Sequence, residues 1–111
     1  MLKRTETGKY QRYEYYDGAN HVGEFLLLAY EDVVNVVELR GFEIYPQYRG
    51  KGLSYGMLAC VVEEARAYKF PILNLKVKKD NDPAVRLYTN AGFVIKRDDA
   101  DKSELEMELE V

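Results

Sequence analysis

The amino-acid sequence predicts a mixed α/β fold of the α+β type, in which a twisted and largely antiparallel sheet carries two helices. Stretches with alternating or β-branched residues recur along the chain, and only two segments have a helical period. The length of 111 residues predicts a single domain that spans residues 1–111. The sequence contains no repeat or flexible linker that would divide it.

The first part of the chain predicts an antiparallel meander of three strands. A tyrosine-rich strand from Lys9 to Tyr16 is followed by a turn at Asp17–Asn20. A second strand runs from His21 to Tyr30, and Glu31–Asp32 form the next turn. The third strand extends from Val33 to Tyr45 and has β-branched residues near its start. No helix is expected before Gly50.

A long amphipathic helix is predicted to follow. Its apolar residues recur every three or four positions, at Leu53, Met57, Leu58, Val61, Val62 and Ala65. Gly56 lies within this helix and costs about 1 kcal/mol of helix stability relative to alanine. Two accounts of it are open: it allows a close approach of the helix to the sheet or to a ligand, or it is a tolerated weakness. Phe70–Pro71 end the helical region, and Ile72–Lys78 alternate as a fourth strand.

The C-terminal part predicts a short helix and two further strands. Asp82 is expected to be the N-cap residue, with Pro83 at the first helical position. The helix continues to about Asn90 and stops before Gly92. A strand at residues 93–96 and a turn at residues 98–101 lead to a last strand, in which apolar residues alternate with glutamates.

Composition excludes several classes of function. The net charge of −3 and the pI near 5.2 argue against a general nucleic-acid binder, and they agree with a cationic amine as substrate. Cys60 is the only cysteine, so an intrachain disulfide is excluded and a reducing compartment is favoured. No signal peptide is recognisable, and the apolar run at Phe25–Tyr30 is too short to cross a membrane. These features predict a cytoplasmic protein, and one histidine with one cysteine makes a metal site unexpected.

The segment Tyr45–Ser54 has the features of a phosphate-binding loop. Gly50 and Gly52 allow a tight turn and a close approach of the backbone to a ligand. Arg49 and Lys51 add positive charge, and the helix that begins after the loop directs its free N–H groups toward it. This combination predicts a site for phosphate, and for a pyrophosphate in particular.

This loop resembles the acyl-CoA-binding loop of the GNAT superfamily, the Gcn5-related N-acetyltransferases. The pattern Gln/Arg-x-x-Gly-x-Gly/Ala is filled by Gln47, Gly50 and Gly52. The wider form Pro-x-Tyr-Arg-Gly-x-Gly is also filled, since Pro46, Tyr48 and Arg49 occupy its additional positions.

A second GNAT motif follows about 30 residues later. Residues 81–93 match the pattern Asn-x-x-Ala-x-x-Leu-Tyr-x-x-x-Gly-Phe at every fixed position. Packing of an amphipathic helix would account for Ala84, Leu87, Gly92 and Phe93, but it accounts less readily for Asn81 and Tyr88. The two motifs in this order imply transfer of an acetyl group from acetyl-CoA to a primary amine by direct attack.

The resemblance implies roles for individual residues. Tyr88 corresponds to the tyrosine that acts as general acid near the sulfur of CoA. Glu38 resembles the strand glutamate that serves as base in the histone-acetyltransferase branch, and Glu43 is the alternative candidate for this base. The remaining residues would hold the co-substrate. The pantetheine arm would be bound by the backbone of Phe42, Glu43 and Ile44 and by the side chain of Asn81. The pyrophosphate would be held by the N–H groups of Arg49, Gly50, Lys51, Gly52, Leu53 and Ser54, and Arg86 would reach the nucleotide phosphates.

The N-terminal part of the chain departs from the family pattern. Members of the family usually begin with a strand and two helices, which build part of the wall around the acceptor. Their absence implies a minimal member, whose acceptor side is open or is completed by another subunit. The acceptor, a small molecule or the amino group of a protein lysine or N-terminus, is not identified by the sequence. The alternative is a catalytically degenerate domain that binds CoA or a partner protein.

Tyrosines are concentrated near the N-terminus, at Tyr10, Tyr13, Tyr15 and Tyr16. Two accounts of this cluster are open. The rings either pack across a short sheet, which is the simpler account, or form the surface of a homodimer.

Overall fold

The computed structural model describes residues 1–7, 10–30 and 33–111, and it contains one seven-stranded sheet. The strands are β1 (Leu2–Thr7), β2 (Tyr10–Asp17), β3 (Asn20–Ala29), β4 (Val36–Ile44), β5 (Ile72–Lys78), β6 (Val94–Asp99) and β7 (Glu104–Glu110). The helices are α1 (Leu53–Ala67) and α2 (Asp82–Asn90), and a 3₁₀ turn occupies Pro46–Tyr48. The α+β class with two α-helices is therefore confirmed.

The strands are arranged in the order β1-β2-β3-β4-β5-β7-β6. All neighbouring pairs are antiparallel except β4 and β5, which run parallel. The chain crosses from β4 to β5 through α1 and from β5 to β6 through α2. Because both crossovers advance in the same direction, right-handed connections place both helices on the same face of the sheet.

One apolar core lies between that face and the two helices. It contains Met57, Val61 and Ala65 from α1, together with Leu87 and Tyr88 from α2. The strands contribute their alternate residues, among them Tyr13, Phe25, Leu39, Leu75 and Met107. Within the described residues, no helix covers the opposite face, which carries polar side chains such as Glu38, Asn74 and Glu106.

Several predicted boundaries differ from the structure. Strand β1 was not predicted, and it pairs with β2 at one edge of the sheet, so the expectation that the usual N-terminal strand is missing was wrong. Residues 33–35 form a turn, and β4 begins at Val36. Strand β6 extends to Asp99, so the predicted turn begins later, at Ala100. The predicted turn at Glu31–Asp32 lies outside the described residues, as does Lys9.

The start of α2 also corrects a prediction. Asn81, not Asp82, is the N-cap residue, and its Oδ1 accepts a hydrogen bond from the Ala84 N–H at 3.3 Å. Asp82 is the first helical residue, so Pro83 occupies the second position. Both Asn and Asp cap helices well, and the backbone at this turn places the side chain of Asn81 over the free N–H groups.

Gly56 and the tyrosine cluster find their explanation in packing. A Cβ atom at Gly56 would lie 2.7 Å from the hydroxyl of Tyr15, so this glycine lets α1 approach β2 closely. Tyr13 is buried, and its ring stacks on Phe25 with the centroids 4.7 Å apart. Tyr10 remains 40% exposed. Packing across the sheet thus accounts for Tyr13 and Tyr15, and dimerisation stays a prediction.

Candidate active site

A large cleft forms where β4 and β5 separate. Their pairing runs only from Val36 opposite Ile72 to Leu39 opposite Leu75, whereas β4 continues to Ile44 and β5 to Lys78. The opened space has a volume of about 920 Å³. The second half of β4 lines it on one side, the end of β5 and the start of α2 line the other, and the first turn of α1 closes one end.

A bulge in β4 re-aims the residues that line this cleft. Leu26 of β3 pairs with Arg40 and Glu24 pairs with Glu43, so β4 holds one more residue than β3 in this interval. Gly41 has a φ of 59°, a conformation that a residue with a side chain seldom adopts. After the bulge, Phe42 and Ile44 face the core, and the side chain of Glu43 lies on the open face.

The loop before α1 offers free hydrogen-bond donors. Gly50 and Gly52 have φ values of 81° and 75°, and no side chain caps the helix. The N–H groups of residues 50–54 have no acceptor among the described residues. A Cβ atom on either glycine would meet nothing within 4 Å. Open space in front of five unpaired donors at a helix N-terminus suits a phosphate group.

Arg49 differs from the loop residues that follow it. Its N–H is already bonded to the carbonyl of Pro46 at 3.3 Å, so it is not part of the free donor set. Its side chain lines the cleft, and Nε donates to the carbonyl of Ile44 at 2.8 Å. Arg49 therefore ties the loop to the end of β4 while keeping its positive charge at the cleft.

Nine of the fourteen predicted site residues line the cleft, and five do not, among them Gly50 and Gly52 of the loop before α1. The cleft is lined by Glu38, Phe42, Glu43, Ile44, Arg49, Ser54, Asn81, Arg86 and Tyr88. Gln47 lies exposed in the 3₁₀ turn outside the lining, and Lys51 places Nζ 5.9 Å from the ring centre of Tyr48. Leu53 packs against the core.

Tyr88 is placed with its ring in the core and its hydroxyl toward the cleft. The residue is 6% exposed, and its ring contacts Phe42 and Phe93 edge-on with centroid distances of 6.0 and 5.5 Å. The Tyr88 hydroxyl makes no hydrogen bond with the described residues. Every fully buried polar side-chain atom among those residues has a hydrogen-bond partner, so the Tyr88 hydroxyl is not fully buried. The hydroxyl therefore reaches the solvent of the cleft. Burial raises the pKa of Tyr88 to about 12, so it is protonated at neutral pH.

Glu38 and Glu43 lie in contrasting surroundings. Glu38 is 7% exposed and accepts hydrogen bonds from Nε of Arg40 and from the hydroxyl of Tyr30, the latter at 3.1 Å. The bond to Glu38 raises the pKa of Arg40 further above its ordinary value. Glu43 is exposed and makes no hydrogen bond or ion pair with the described residues.

Sequence analysis missed several residues of the site. Tyr55, in the first turn of α1, and Lys76 and Lys78, at the end of β5, also line the cleft. These residues do not belong to the apolar pattern that predicts α1 and β5. The sequence therefore indicates only that their side chains point away from the core, and not that they line a cleft. Gly23 was missed as well: a Cβ atom there would lie 2.6 Å from the carbonyl oxygen of Glu43, so its lack of a side chain lets β3 approach the cleft strand.

The described residues contain neither a candidate metal site nor a candidate membrane span. No group of three or more His, Cys, Asp or Glu side chains in the described part of the chain could hold a metal ion. Neither of the two described α-helices is long and apolar enough to cross a membrane.

Comparison with known proteins gives a consistent result. The family model described as Acetyltransferase (GNAT) family matches residues 5–93. No curated protein matches the chain in sequence. Many solved structures match its fold, and three of them are described here.

A GNAT family acetyltransferase from Elizabethkingia anophelis with acetyl-CoA bound superimposes with a TM-score of 0.86 at 12% identity, over 100% of this chain and 97% of that one. Spermidine N-acetyltransferase from Vibrio cholerae, in complex with CoA and spermine, gives 0.84 at 18% identity, over 93% and 66%. IAA acetyltransferase from Bacillus cereus gives 0.81 at 19% identity, over 93% and 79%.

Proposed function

Because the chain belongs to the GNAT family of acetyltransferases, we propose that it transfers an acetyl group from acetyl-CoA to a primary amine. The observation that carries the proposal is the cleft between β4 and β5. At one end it reaches Ser54, the last of the five residues whose N–H groups have no acceptor among the described residues, and it also contains the protonated hydroxyl of Tyr88. A plain strand-to-helix turn would require neither feature.

The residues at the cleft fit acetyl-CoA in charge and shape. In this proposal the N–H groups of residues 50–54 bind the pyrophosphate, and Arg49 and Arg86 add positive charge beside it. The separated backbone of β4, at Phe42–Ile44, binds the pantetheine arm as a strand would. The side-chain NH₂ of Asn81, whose oxygen caps α2, donates to the same arm. The Elizabethkingia anophelis protein, of which this chain covers 97%, has acetyl-CoA bound, so a chain of this size suffices there.

Acetyl-CoA supplies an activated thioester. The protein must position this thioester, accept a proton from the amine and stabilise or protonate the departing sulfur. The amine nitrogen bonds to the acetyl carbon, the carbon–sulfur bond breaks, the amine loses one proton, and the sulfur leaves as thiolate or thiol. Tyr88 donates a hydrogen bond to the departing sulfur. Glu38 is the proposed proton acceptor, since it lies at the cleft. Its contribution is limited, because protonation would break its ion pair with Arg40.

An acyl-transfer screen tests the proposal. Purified protein is mixed with acetyl-CoA and with polyamines, amino acids, aminoglycosides or lysine peptides, and free thiol is measured. We expect thiol release above hydrolysis with at least one class of amine, together with the acetylated amine in the mass spectrum. A chain that binds acetyl-CoA but acylates none of these amines would contradict the transferase and favour the binding module.

A further inference from the structure

A second groove opens on the face of the sheet that the helices leave uncovered. It has a volume of about 570 Å³ and lies across β2, β3 and β4. Three consecutive residues of the β4 bulge, Gly41, Phe42 and Glu43, line both this groove and the main cleft. A molecule in the groove therefore reaches the proposed acetyl position from the side opposite the helices.

The groove is lined by apolar and polar surface in about equal measure, and two of its three charged side chains pair with each other. Tyr10 and Leu26 supply apolar surface from the open face, and the β4 bulge lines the groove at Gly41 and Phe42, whose ring packs toward the core. Arg12 donates to Oε2 of Glu24 through Nε at 3.1 Å and through a terminal nitrogen at 2.8 Å, so these two charges neutralise each other.

Glu43 is the one charged lining residue of the groove without a partner among the described residues. The other oxygen of Glu24 accepts the hydroxyl of Tyr45 at 3.0 Å, so Glu24 has no free oxygen. Glu43 is exposed, and no hydrogen bond or ion pair joins it to another described residue. The groove thus combines apolar surface at Leu26, one negative charge without a partner among the described residues, and a partly exposed aromatic ring at Tyr10. This combination suits a methylene chain that ends in a cation.

We propose that the acceptor is an alkylamine with a second positive charge, whose distal ammonium binds the carboxylate of Glu43. This inference rests on the proposed acetyl transfer and names the class of its acceptor. The reacting nitrogen must be neutral when it attacks, so it cannot keep an ion pair. A second ammonium stays charged throughout the reaction, and its attraction to Glu43 persists.

Three acceptors of equal chain length separate this proposal from its alternatives. Butane-1,4-diamine, butylamine and 4-aminobutanoate are compared by kcat/KM at low ionic strength. We expect the diamine to exceed butylamine by about 2- to 5-fold, in the range of a partly exposed ion pair, and 4-aminobutanoate to be the poorest. The preference should decrease with added salt. Equal values for the diamine and butylamine would overturn the inference.

The Glu43→Gln variant tests which role the carboxylate has. If Glu43 binds the distal ammonium, the ratio of diamine to butylamine falls to about one. If it accepts the proton of the reacting amine instead, both substrates slow by the same factor and the ratio is unchanged, which would overturn the inference. Glu63→Gln makes the same charge change on the exposed surface of α1 and should leave the ratio as in the wild type. Absence of thiol release with these three amines, while another amine of the screen is acetylated, would overturn the inference and leave the proposed function standing; absence of release with every amine of the screen would contradict the function itself.

Discussion

At Tyr88 the ring and the hydroxyl lie in different surroundings, and this difference defines what the residue can do. Its pKa of about 12 is well above that of a thiol, which is about 8.5. Full proton transfer to a thiolate would thus be unfavourable by about 5 kcal/mol. Tyr88 is better suited to donate a hydrogen bond to the developing negative charge on sulfur than to give up its proton.

Replacing Tyr88 with phenylalanine removes the hydroxyl and keeps the ring contacts with Phe42 and Phe93. A hydrogen bond to a charged acceptor contributes about 1.5–3 kcal/mol, so we expect kcat to fall about 10- to 100-fold. The affinity for CoA should stay within a few-fold, because the interaction belongs to the transition state. Steady-state kinetics and calorimetry measure the two quantities, and full activity of the variant would remove this role.

Tyr88 also predicts a pH dependence of stability. Its pKa is about 10 in the unfolded chain and about 12 in the folded protein. The unfolded state releases the proton first, so the stabilisation is complete below pH 10 and is lost as the pH rises toward 12, by about 2–3 kcal/mol in total. Urea unfolding from pH 9 to pH 12 should show a smaller decline for Tyr88→Phe. Parallel curves for both proteins would contradict this prediction.

Glu38 is expected to affect the pH dependence of catalysis. In Glu38→Gln the proposed proton acceptor is lost, so the amine must deprotonate in solution and the pH–rate profile should move toward higher pH. Because Arg40 and Tyr30 hold the carboxylate, we expect a modest loss of about 3- to 30-fold at neutral pH. An unchanged profile would leave Glu38 a structural residue of the open face.

Sequence motifs predicted the positions of the site residues better than their contacts. Tyr88, Asn81 and Arg49 belong to motifs with fixed spacing, so their presence at one site could be expected. The bond from Arg49 to Ile44 depends on how the loop folds back on β4, and spacing carries no information about it. Gly23 gives no local signal either, because its neighbour in space, Glu43, lies 20 residues away.

At the scale of the element, the end of β4 is positioned by close packing against β3. A Cβ atom at Gly23 would lie 2.6 Å from the carbonyl of Glu43, 2.9 Å from Cδ1 of Ile44 and 3.1 Å from Sδ of Met57. The contact with the carbonyl involves backbone, so it cannot be relieved by a side-chain rotation. The strand that is proposed to bind pantetheine would have to move.

The variant Gly23→Ala should therefore lose stability and CoA affinity together. We expect a loss of about 1–3 kcal/mol in urea unfolding, typical of overpacking. Gly56→Ala is the matched control: its Cβ would meet only the flexible end of Tyr15, and alanine favours the helix by about 1 kcal/mol. A Gly23→Ala protein with wild-type stability and affinity would show that the strand tolerates the shift.

Elements with a strong hydrophobic period were predicted well, and the edge strand was not. Helix α1 and strand β7 bury alternate or periodic apolar residues, such as Met57 and Met107. Strand β1 reads Leu-Lys-Arg-Thr-Glu-Thr and has one apolar residue. Its structure depends on pairing with β2, a long-range partner that the local sequence does not reveal.

For the whole molecule, the uncovered face of the sheet connects the fold to the proposed acceptor. Both helices pack on one face, and the second groove lies on the other. The predicted absence of N-terminal helices holds for the described residues, which contain no α-helix before Leu53. The sequence does not predict which charged side chains of the open face remain without a partner, because this depends on ion pairs between three strands.

The most direct test of the account measures CoA binding by calorimetry in the wild type and in Gly52→Asp. The aspartate adds a negative charge in the open space before the free N–H groups, and Asp tolerates a positive φ. Gly52→Asn repeats the shape without the charge. Gly18→Asp has a similar φ and open surroundings in the β2–β3 turn, away from the cleft. We predict one CoA bound by the wild type and by Gly18→Asp, weaker binding by Gly52→Asn and none by Gly52→Asp, with folded circular-dichroism spectra throughout. No binding by the wild type at millimolar CoA, or unchanged affinity in Gly52→Asp, would contradict the account.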